Sequence, residues 1–514
     1  MSSTAPLPGR AVAEHRLESD PRIRSSLFAL AAVLTYGLSL LTPAAHSPAA
    51  WIAVFFTAFV LPLVLSIVLP EAFIRNRLLG LFLLTLLGNV AFILLLLRLA
   101  HHHAFSAGIY LLPPALAALT LTTLVGPRAG SLLVVLVGLS ELFLLRPDHR
   151  YLVASVTTGI GAVVLSQKIY HRSDLLKAGA GIGLVALLST VLGAGLSFTA
   201  TWEVILAEAI SAAALGLLGA IIVGALLPVL ESAFDRTTDF SWLELMSLDR
   251  PILRRLALEA PGTYLHSVLV GHLAEAAASA TGVTNPRACR AMGLFHDIGK
   301  LKNPEYFTEN FSAGNSDPHA SLSPSMSALI IVAHVKDGIA LARQHRLPRR
   351  LREAIREHHG RGLVWYFYQR ALQQEKDARS GGKILRLREE DIPEVDESSF
   401  RYPGPNPQSP ETAILSLADA AESASRALEK PAPGDAAKLV DQLFHERERE
   451  GHWSECRLTP AQWQAARKAL AEGVENLLRP RIRYPKDRRG SKKADPSVDQ
   501  PSKTVSAESG LPAS

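Results

Sequence analysis

From Leu27 to about Leu230 the chain runs as apolar stretches interrupted by short polar breaks; after Glu231 charged residues become frequent and apolar positions recur at helical spacing. Eight stretches, at 27–44, 50–70, 77–99, 107–125, 129–146, 150–167, 175–197 and 204–230, each approach the ~20 residues that cross the hydrocarbon core as a helix. In the polar half, Leu265, Val268, Leu269, His272, Leu273 and Ala276 predict one helix, and Leu329, Ile330, Ala333, Val335 and Ile339 another. No strand pattern of comparable strength occurs there. The expected fold is all-α: a polytopic α-helical membrane bundle at 27–230 followed by an all-helical domain at 260–485. A cytoplasmic segment at 1–26 precedes the bundle, an amphipathic juxtamembrane coupler at 231–259 joins the two halves, and 486–514, rich in Lys, Arg, Ser and Pro, reads as a disordered tail.

Charge orients this arrangement. Arg10, Arg16, Arg22 and Arg24 precede the first run, and alternate breaks hold Arg75 with Arg77, then Arg128, then Lys168, Arg172 and Lys177. Positive residues gather on the cytoplasmic side. An even number of spans then returns the polar half to the cytoplasm, and Arg98, Arg146 and Arg150 are the weaker opposing set. The two cysteines, Cys289 and Cys456, offer neither a disulfide framework nor a CxxC site, which fits a reducing compartment. A net charge of +6 over 514 residues gives no reason to expect a nucleic-acid polymer as partner. The bilayer is the partner that the composition demands. Within the bundle, Glu141 and Glu208 are carboxylates in apolar surroundings, candidates for an ion or ligand site or for helix-end contacts. His101, His102 and His103 read as a solvated turn.

The chemistry concentrates at Leu294-Phe295-His296-Asp297-Ile298-Gly299-Lys300. An adjacent imidazole and carboxylate can grip two neighbouring metal ions, the carboxylate bridging while the imidazole holds one, which points to a metal-dependent phosphohydrolase. Along the chain the candidate ligands are His266, His296, Asp297, His334, His358, His359 and Asp419. Any one of these alone reads as a core residue with a satisfied hydrogen bond. Seven metal-type side chains on separate apolar helical segments match a dinuclear centre better than chance does. Imidazole and carboxylate ligands suit Mn, Fe or Zn, and the lack of thiolates argues against a structural zinc. Lys300, one turn beyond the pair, is read as a phosphate contact or a solvated helix end.

The order His, His-Asp, His, His-His, Asp resembles the HD superfamily of phosphohydrolases. Ala260-Pro261-Gly262-Thr263-Tyr264-Leu265-His266-Ser267, His296-Asp297-Ile298-Gly299-Lys300-Leu301-Lys302, Leu322-Ser323-Pro324, Ser327 to Gly338, and Arg401-Tyr402-Pro403-Gly404-Pro405-Asn406-Pro407-Gln408-Ser409 are similar to the membrane-bound HD phosphodiesterases with a seven-helix membrane region. The resemblance covers about 50–485. It implies hydrolysis of the bacterial second messenger cyclic di-AMP to pApA, at a cytoplasmic HD domain of an inner-membrane protein. It also implies two divalent metal ions, Mn or Fe, with His266, His296, Asp297 and Asp419 on the first and Asp297, His334 and His358 on the second. His359 would complete the second site or meet phosphate, and Asp297, His296 and Lys300 are the candidate catalytic residues. The chain departs from that family where an extracellular domain usually follows the first membrane helix, since only about six residues near Ala44 to Ala49 stand there.

Other readings keep the site and change its use: cyclic di-GMP or another nucleotide as substrate, against which no GYP element follows the HD pair, or a nucleotide-binding receptor without turnover. A homo-oligomer is compatible with all of them. Asn303 to Asn310 and residues 401–410 are candidate walls around a nucleotide, Trp365, Tyr366, Phe367 and Tyr368 read as core, and 376–399 reads as an exposed insertion.

Overall fold

The computed structural model describes residues 18–42, 46–100, 112–145, 149–195, 201–311, 317–385, 394–428 and 432–478. Every apolar run predicted from the sequence contains a helix: α1 (Pro21–Ser39), α2 (Pro48–Val68), a short α3 (Pro70–Ile74), α4 (Asn76–Ala100), α5 (Leu112–Leu124), α6 (Pro127–Ser140), α7 (His149–Leu165), α8 (Arg172–Gly195) and α9 (Trp202–Phe234). The first starts earlier than hydropathy places it, because Asp20 caps the Arg22 amide and Pro21 takes the first helical position. Two π-helical turns, Phe56–Val60 inside α2 and Glu141–Leu145 after α6, interrupt the α pattern. Residues 40–47 alone separate α1 from α2. The triple histidine at 101–103 and the 486–514 tail lie outside the described residues.

The bundle carries its own cores, one led by Leu61, Leu65, Leu79, Phe82, Leu121 and Leu133, another by Ala118, Leu119, Ala162, Ile182 and Ala220. Its outward face keeps Val33, Phe59, Ile67, Leu192 and Val229 exposed, as a surface solvated by lipid requires. Helices α8 and α9 meet along small residues: a Cβ on Gly183 would lie 2.3 Å from the Ala213 carbonyl oxygen, so only glycine permits this approach. Glu141 is buried and accepts a 2.9 Å hydrogen bond from Ser155 Oγ; Glu208 is half-buried. At 33 residues α9 rises about 50 Å, well beyond the ~30 Å hydrocarbon core, and its end projects toward the second domain.

That domain is helical too: α10 (Asp239–Leu245), α11 (Pro251–Glu259), α12 (Pro261–Thr281), α13 (Pro286–Phe295), α14 (Pro324–Gln344), α15 (Arg349–Glu357), α16 (Trp365–Leu385), α17 (Pro410–Ser425), α18 (Asp435–Arg449) and α19 (Pro460–Leu478). Among the described residues the sole β-type pairing is the isolated bridge between Leu363 and Arg401. Its core gathers Val270, Ala274, Phe295, Ile298, Leu351, Ile355, Leu415 and Leu470 with Trp242, Leu245, Ile252, Leu253 and Leu256. The coupler helices α10 and α11 therefore pack into the domain. Among the described residues five helices are long and apolar enough to cross a membrane, α2, α4, α8, α9 and α14. Of these α14 is set apart by packing, since it holds a buried histidine and lies against α15 and α16.

The segment 376–399, read as an exposed insertion, is exposed at residues 376–379 and begins within α16, which continues through Leu385; residues 386–393 lie outside the described residues. One expectation changes. The aromatic run divides: Phe367 is buried, whereas Trp365 and Tyr366 are exposed at one end of the same helix.

Candidate metal centre

Five helices deliver the seven expected ligands. His266 lies in the second turn of α12, His334 in the middle of α14 and Asp419 in α17, while the two pairs sit just past helix ends, His296-Asp297 after α13 and His358-His359 after α15. Side-chain caps fix the starts of three of these helices, α13, α14 and α17: Asn285 accepts from the Arg287 and Ala288 amides, Ser323 from Met326, and Ser409 with Thr412 forms a capping box. Gly299 lets α14 approach, since a Cβ there would come within 1.8 Å of the His334 carbonyl oxygen.

Three imidazoles are oriented the same way. Nδ1 of His296, His334 and His358 bonds the carbonyl three residues earlier, of Gly293, Ile331 and Ile355, at 2.7, 2.6 and 2.8 Å. A carbonyl can only accept, so the proton sits on Nδ1 and the Nε2 lone pair faces the centre. For His266 a carboxylate replaces the carbonyl: Nδ1 lies 2.6 Å from Glu422 Oε2, and Arg426 holds the same carboxylate at 2.7 Å.

Asp297 divides the centre. Its Oδ2 lies 3.2 Å from His296 Nε2 and 3.5 Å from His266 Nε2, and its Oδ1 lies 3.3 Å from His334 Nε2 and 3.8 Å from His358 Nε2. Asp419 Oδ1 closes the first side at 3.2 Å from His266 Nε2, and its Oδ2 is 3.7 Å from His359 Nδ1. Two sets of ligand atoms result, each mutually within 4.8 Å: His266, His296 and Asp419, and Asp297, His334, His358 and His359. His296 Nε2 and Asp297 Oδ1 are buried without a hydrogen-bond partner. Such atoms are costly unless something else satisfies them, and divalent cations fit this donor set.

Electrostatics differ across the divide. Burial works against charge on His266, but hydrogen bonds to Asp297, Asp419 and Glu422 outweigh it and push its pKa up to about 11; Asp297 and Asp419 likewise lift His296 to about 9. On the other side burial wins, taking His334 down, His358 to about 3 and His359 well below the usual imidazole range. Asp297 and Asp419 stay well below the usual carboxylate range: burial opposes this, and the neighbouring imidazoles, with Lys300 at Asp297, override it.

Lys300 is not a solvated helix end. Its Nζ lies 2.8 Å from Asp297 Oδ2 and 2.7 Å from Glu309 Oε1, and these carboxylates outweigh burial and raise its pKa. Glu309 also accepts from Thr263 Oγ1 at 3.0 Å, and Asn310 Oδ1 accepts from the Thr263 amide at 3.1 Å, so the 303–310 loop is tied to the start of α12. Tyr402, from the 401–410 stretch, places its ring 4.2 Å from that of His359. Sequence reading missed Glu422 and the role of Glu309. A signal existed for Glu422, three residues after Asp419 and hence on the same helix face.

Residues 22–238 match the family model described as a 7TM receptor with intracellular HD hydrolase, and residues 263–424 match that of the HD domain. Among curated proteins, the cyclic-di-AMP phosphodiesterase PgpH of Bacillus subtilis is 33% identical over 73% of this chain, and PgpH of Listeria monocytogenes 30% identical over 74%. The chain spans about half the length of these relatives, 51% of each. Among solved structures, the L. monocytogenes PgpH HD domain is 32% identical and covers 44% of this chain and 98% of its own, with a TM-score of 0.39; its complex with cyclic-di-AMP covers 44% and 97%, with a TM-score of 0.40. An apolar helical bundle that carries a helical domain with a His-Asp centre thus coincides with both family models, and the chain belongs to the membrane-bound 7TM proteins with an HD hydrolase domain.

Proposed function

We propose that the protein is a metal-dependent phosphodiesterase that hydrolyses cyclic di-AMP to pApA on the cytoplasmic face of a bacterial inner membrane. The observation that carries this reading is the position of Asp297, buried between two ligand sets with one carboxylate oxygen turned to each. The relatives named for cyclic-di-AMP supply the substrate. His266, His296, Asp297 and Asp419 would hold one divalent ion, and Asp297, His334 and His358 the other, with His359 completing the second set or meeting phosphate. Imidazole and carboxylate donors without thiolate suit Mn or Fe. Bound there, two such ions supply Lewis acidity that activates water near neutral pH and neutralises charge on the phosphodiester.

The chain's own groups have narrower tasks. The carbonyl-bound Nδ1 protons keep His296, His334 and His358 in one tautomer with Nε2 inward. Lys300, clamped by Glu309, holds Oδ2 of Asp297 and so orients the shared carboxylate. The His359 and Tyr402 rings pack at a tilt beside Asp419, where a phosphate or base can rest. In the reaction one water oxygen joins phosphorus, the 3′ oxygen leaves and takes a proton, and the 5′ phosphate remains on the linear product.

Arg77 and Arg172, at the starts of α4 and α8, pair with Asp235 and Glu244, and Asp235 also meets Arg349 of the HD domain, so the positive edge of the bundle and the HD domain share a side, which supports a cytoplasmic HD domain. The test is product chromatography after incubating the full chain in nanodiscs with cyclic di-AMP and with cyclic di-GMP in Mn, beside Asp297→Ala. Conversion of cyclic di-AMP to pApA, lost in the variant, is expected. Preference for cyclic di-GMP would overturn the substrate, and tight nucleotide binding with no product would replace the enzyme by a receptor.

A further inference from the structure

The two ligand pairs share a feature that the other ligands lack. His296-Asp297 and His358-His359 each follow the last turn of a short helix, and the first turn of each of those helices rests on the edge of the membrane bundle. At the start of α13, the Arg287 guanidinium lies 3.7 Å from the ring centroid of Tyr170, in the break between α7 and α8. Arg287 also donates to Asp239 Oδ2 at 2.9 Å, and Asn285 holds Asp239 Oδ1 at 2.7 Å. Arg172, two residues beyond Tyr170, pairs with Glu244 on α10 at 2.8 Å. At the start of α15, Arg349 lies 3.4 Å from Glu18, which precedes α1, and 3.6 Å from Asp235 at the end of α9. Asp235 lies in turn 3.8 Å from Arg77 at the start of α4.

Helices α13 and α15 have ten and nine residues, so about 15 and 14 Å separate each dock from its ligand pair. A helix of that length moves as a rod. Displacement of α9 or of the α7–α8 break is therefore delivered to one ligand pair relative to the other. Where the pairs face each other, His358 Nε2 is 3.8 Å from Asp297 Oδ1, the longest of the four imidazole contacts to that carboxylate. The second ligand set spans this gap. The geometry points to Arg287 and Arg349 as positioning residues through which the membrane bundle sets the spacing of the HD and HH pairs, and with it the grip on the second metal ion. This rests on the dinuclear reading of the site.

The test uses the full chain in nanodiscs and Mn(II) alone, with electron paramagnetic resonance reporting both the number of ions bound and the spin coupling between them. The wild-type chain is expected to bind two coupled ions. Tyr170→Ala, outside the HD domain, and Arg349→Glu are expected to weaken the second ion about tenfold and to reduce the coupled signal, whereas Tyr170→Phe, which keeps the ring face, and Arg349→Lys, which keeps the charge, retain both. Adding Glu18→Arg to Arg349→Glu should recover most of the coupling. Lys168→Ala, in the same break as Tyr170, serves as the control and stays at wild-type values. Two coupled ions held with unchanged affinity in Tyr170→Ala and Arg349→Glu would overturn the inference. Failure of the wild-type chain to bind a pair would instead sink the dinuclear reading beneath it.

Discussion

The two sides of the metal centre are built from the same residue types, yet they solve different electrostatic problems. On one side His266 and His296 face Asp297, Asp419 and Glu422, and carboxylates outnumber imidazoles, so the pocket favours positive charge on its histidines. On the other, His334 and His358 face Asp297, His359 lies nearer Asp419, and burial keeps their rings neutral. The first side sets a carboxylate-rich surrounding behind its imidazole donors, the second a mainly imidazole one. Asp297 belongs to both, and the comparison is tested first through that residue.

Asp297→Ala should remove both sides together, with binding of both ions and turnover falling by more than the ~10–100-fold seen when only a supporting partner of a ligand is lost. Metal content by mass spectrometry beside a turnover assay checks this. One side at a time comes next: Asp419→Asn and His358→Ala should each leave about one ion bound, from opposite sides. If either variant emptied both sites, the sides would not be separable.

Glu422→Gln should weaken the carboxylate-rich side by about 10–100-fold in metal affinity, because His266 loses its carboxylate partner while keeping a hydrogen-bonding one. Calorimetry with Mn(II) would show whether only one of two binding steps moves. Lys300→Met frees Asp297 and Glu309 from their clamp and should cost less, about tenfold, by loosening orientation without removing a donor.

The smallest effect concerns stability on the neutral side. Ser416 Oγ donates to the His358 carbonyl and lies 3.0 Å from His452 Nε2, so His452 stands behind that ligand. Burial, helped by the charge on Arg447, takes His452 down to about 3. An unfolded chain protonates this residue below about 6.5 while the folded chain does not, so its contribution is complete above that pH and declines as pH falls toward 3. The slope is on the order of 1 kcal/mol per pH unit within that window. Denaturant midpoints from pH 7 to pH 5 should fall less steeply in His452→Gln.

Much of this was legible before any coordinates. Apolar runs announce helices because a lipid-facing segment has no other way to satisfy its backbone, and each of the eight runs contains one. The candidate ligands were legible because seven metal-type side chains in apolar segments match a dinuclear centre better than chance does, and the fold brings the seven together. Residues with an ordinary alternative were harder to read. Glu422, Glu309, Arg287 and Arg349 each look like solvated charges on a helix or loop, and only the packing of distant segments reveals that they touch His266, Lys300, Tyr170 and Asp235.

The sequence by itself therefore determined the helical class, the order of bundle and domain, and the candidate ligand set, because hydropathy and donor chemistry are properties of single residues and their spacing. Tertiary structure decided which oxygen of Asp297 faces which imidazoles, which histidines the pocket favours charged, and that the helices bearing the two ligand pairs begin against the bundle. Those depend on burial and on distances between segments up to several hundred residues apart, which no local pattern encodes.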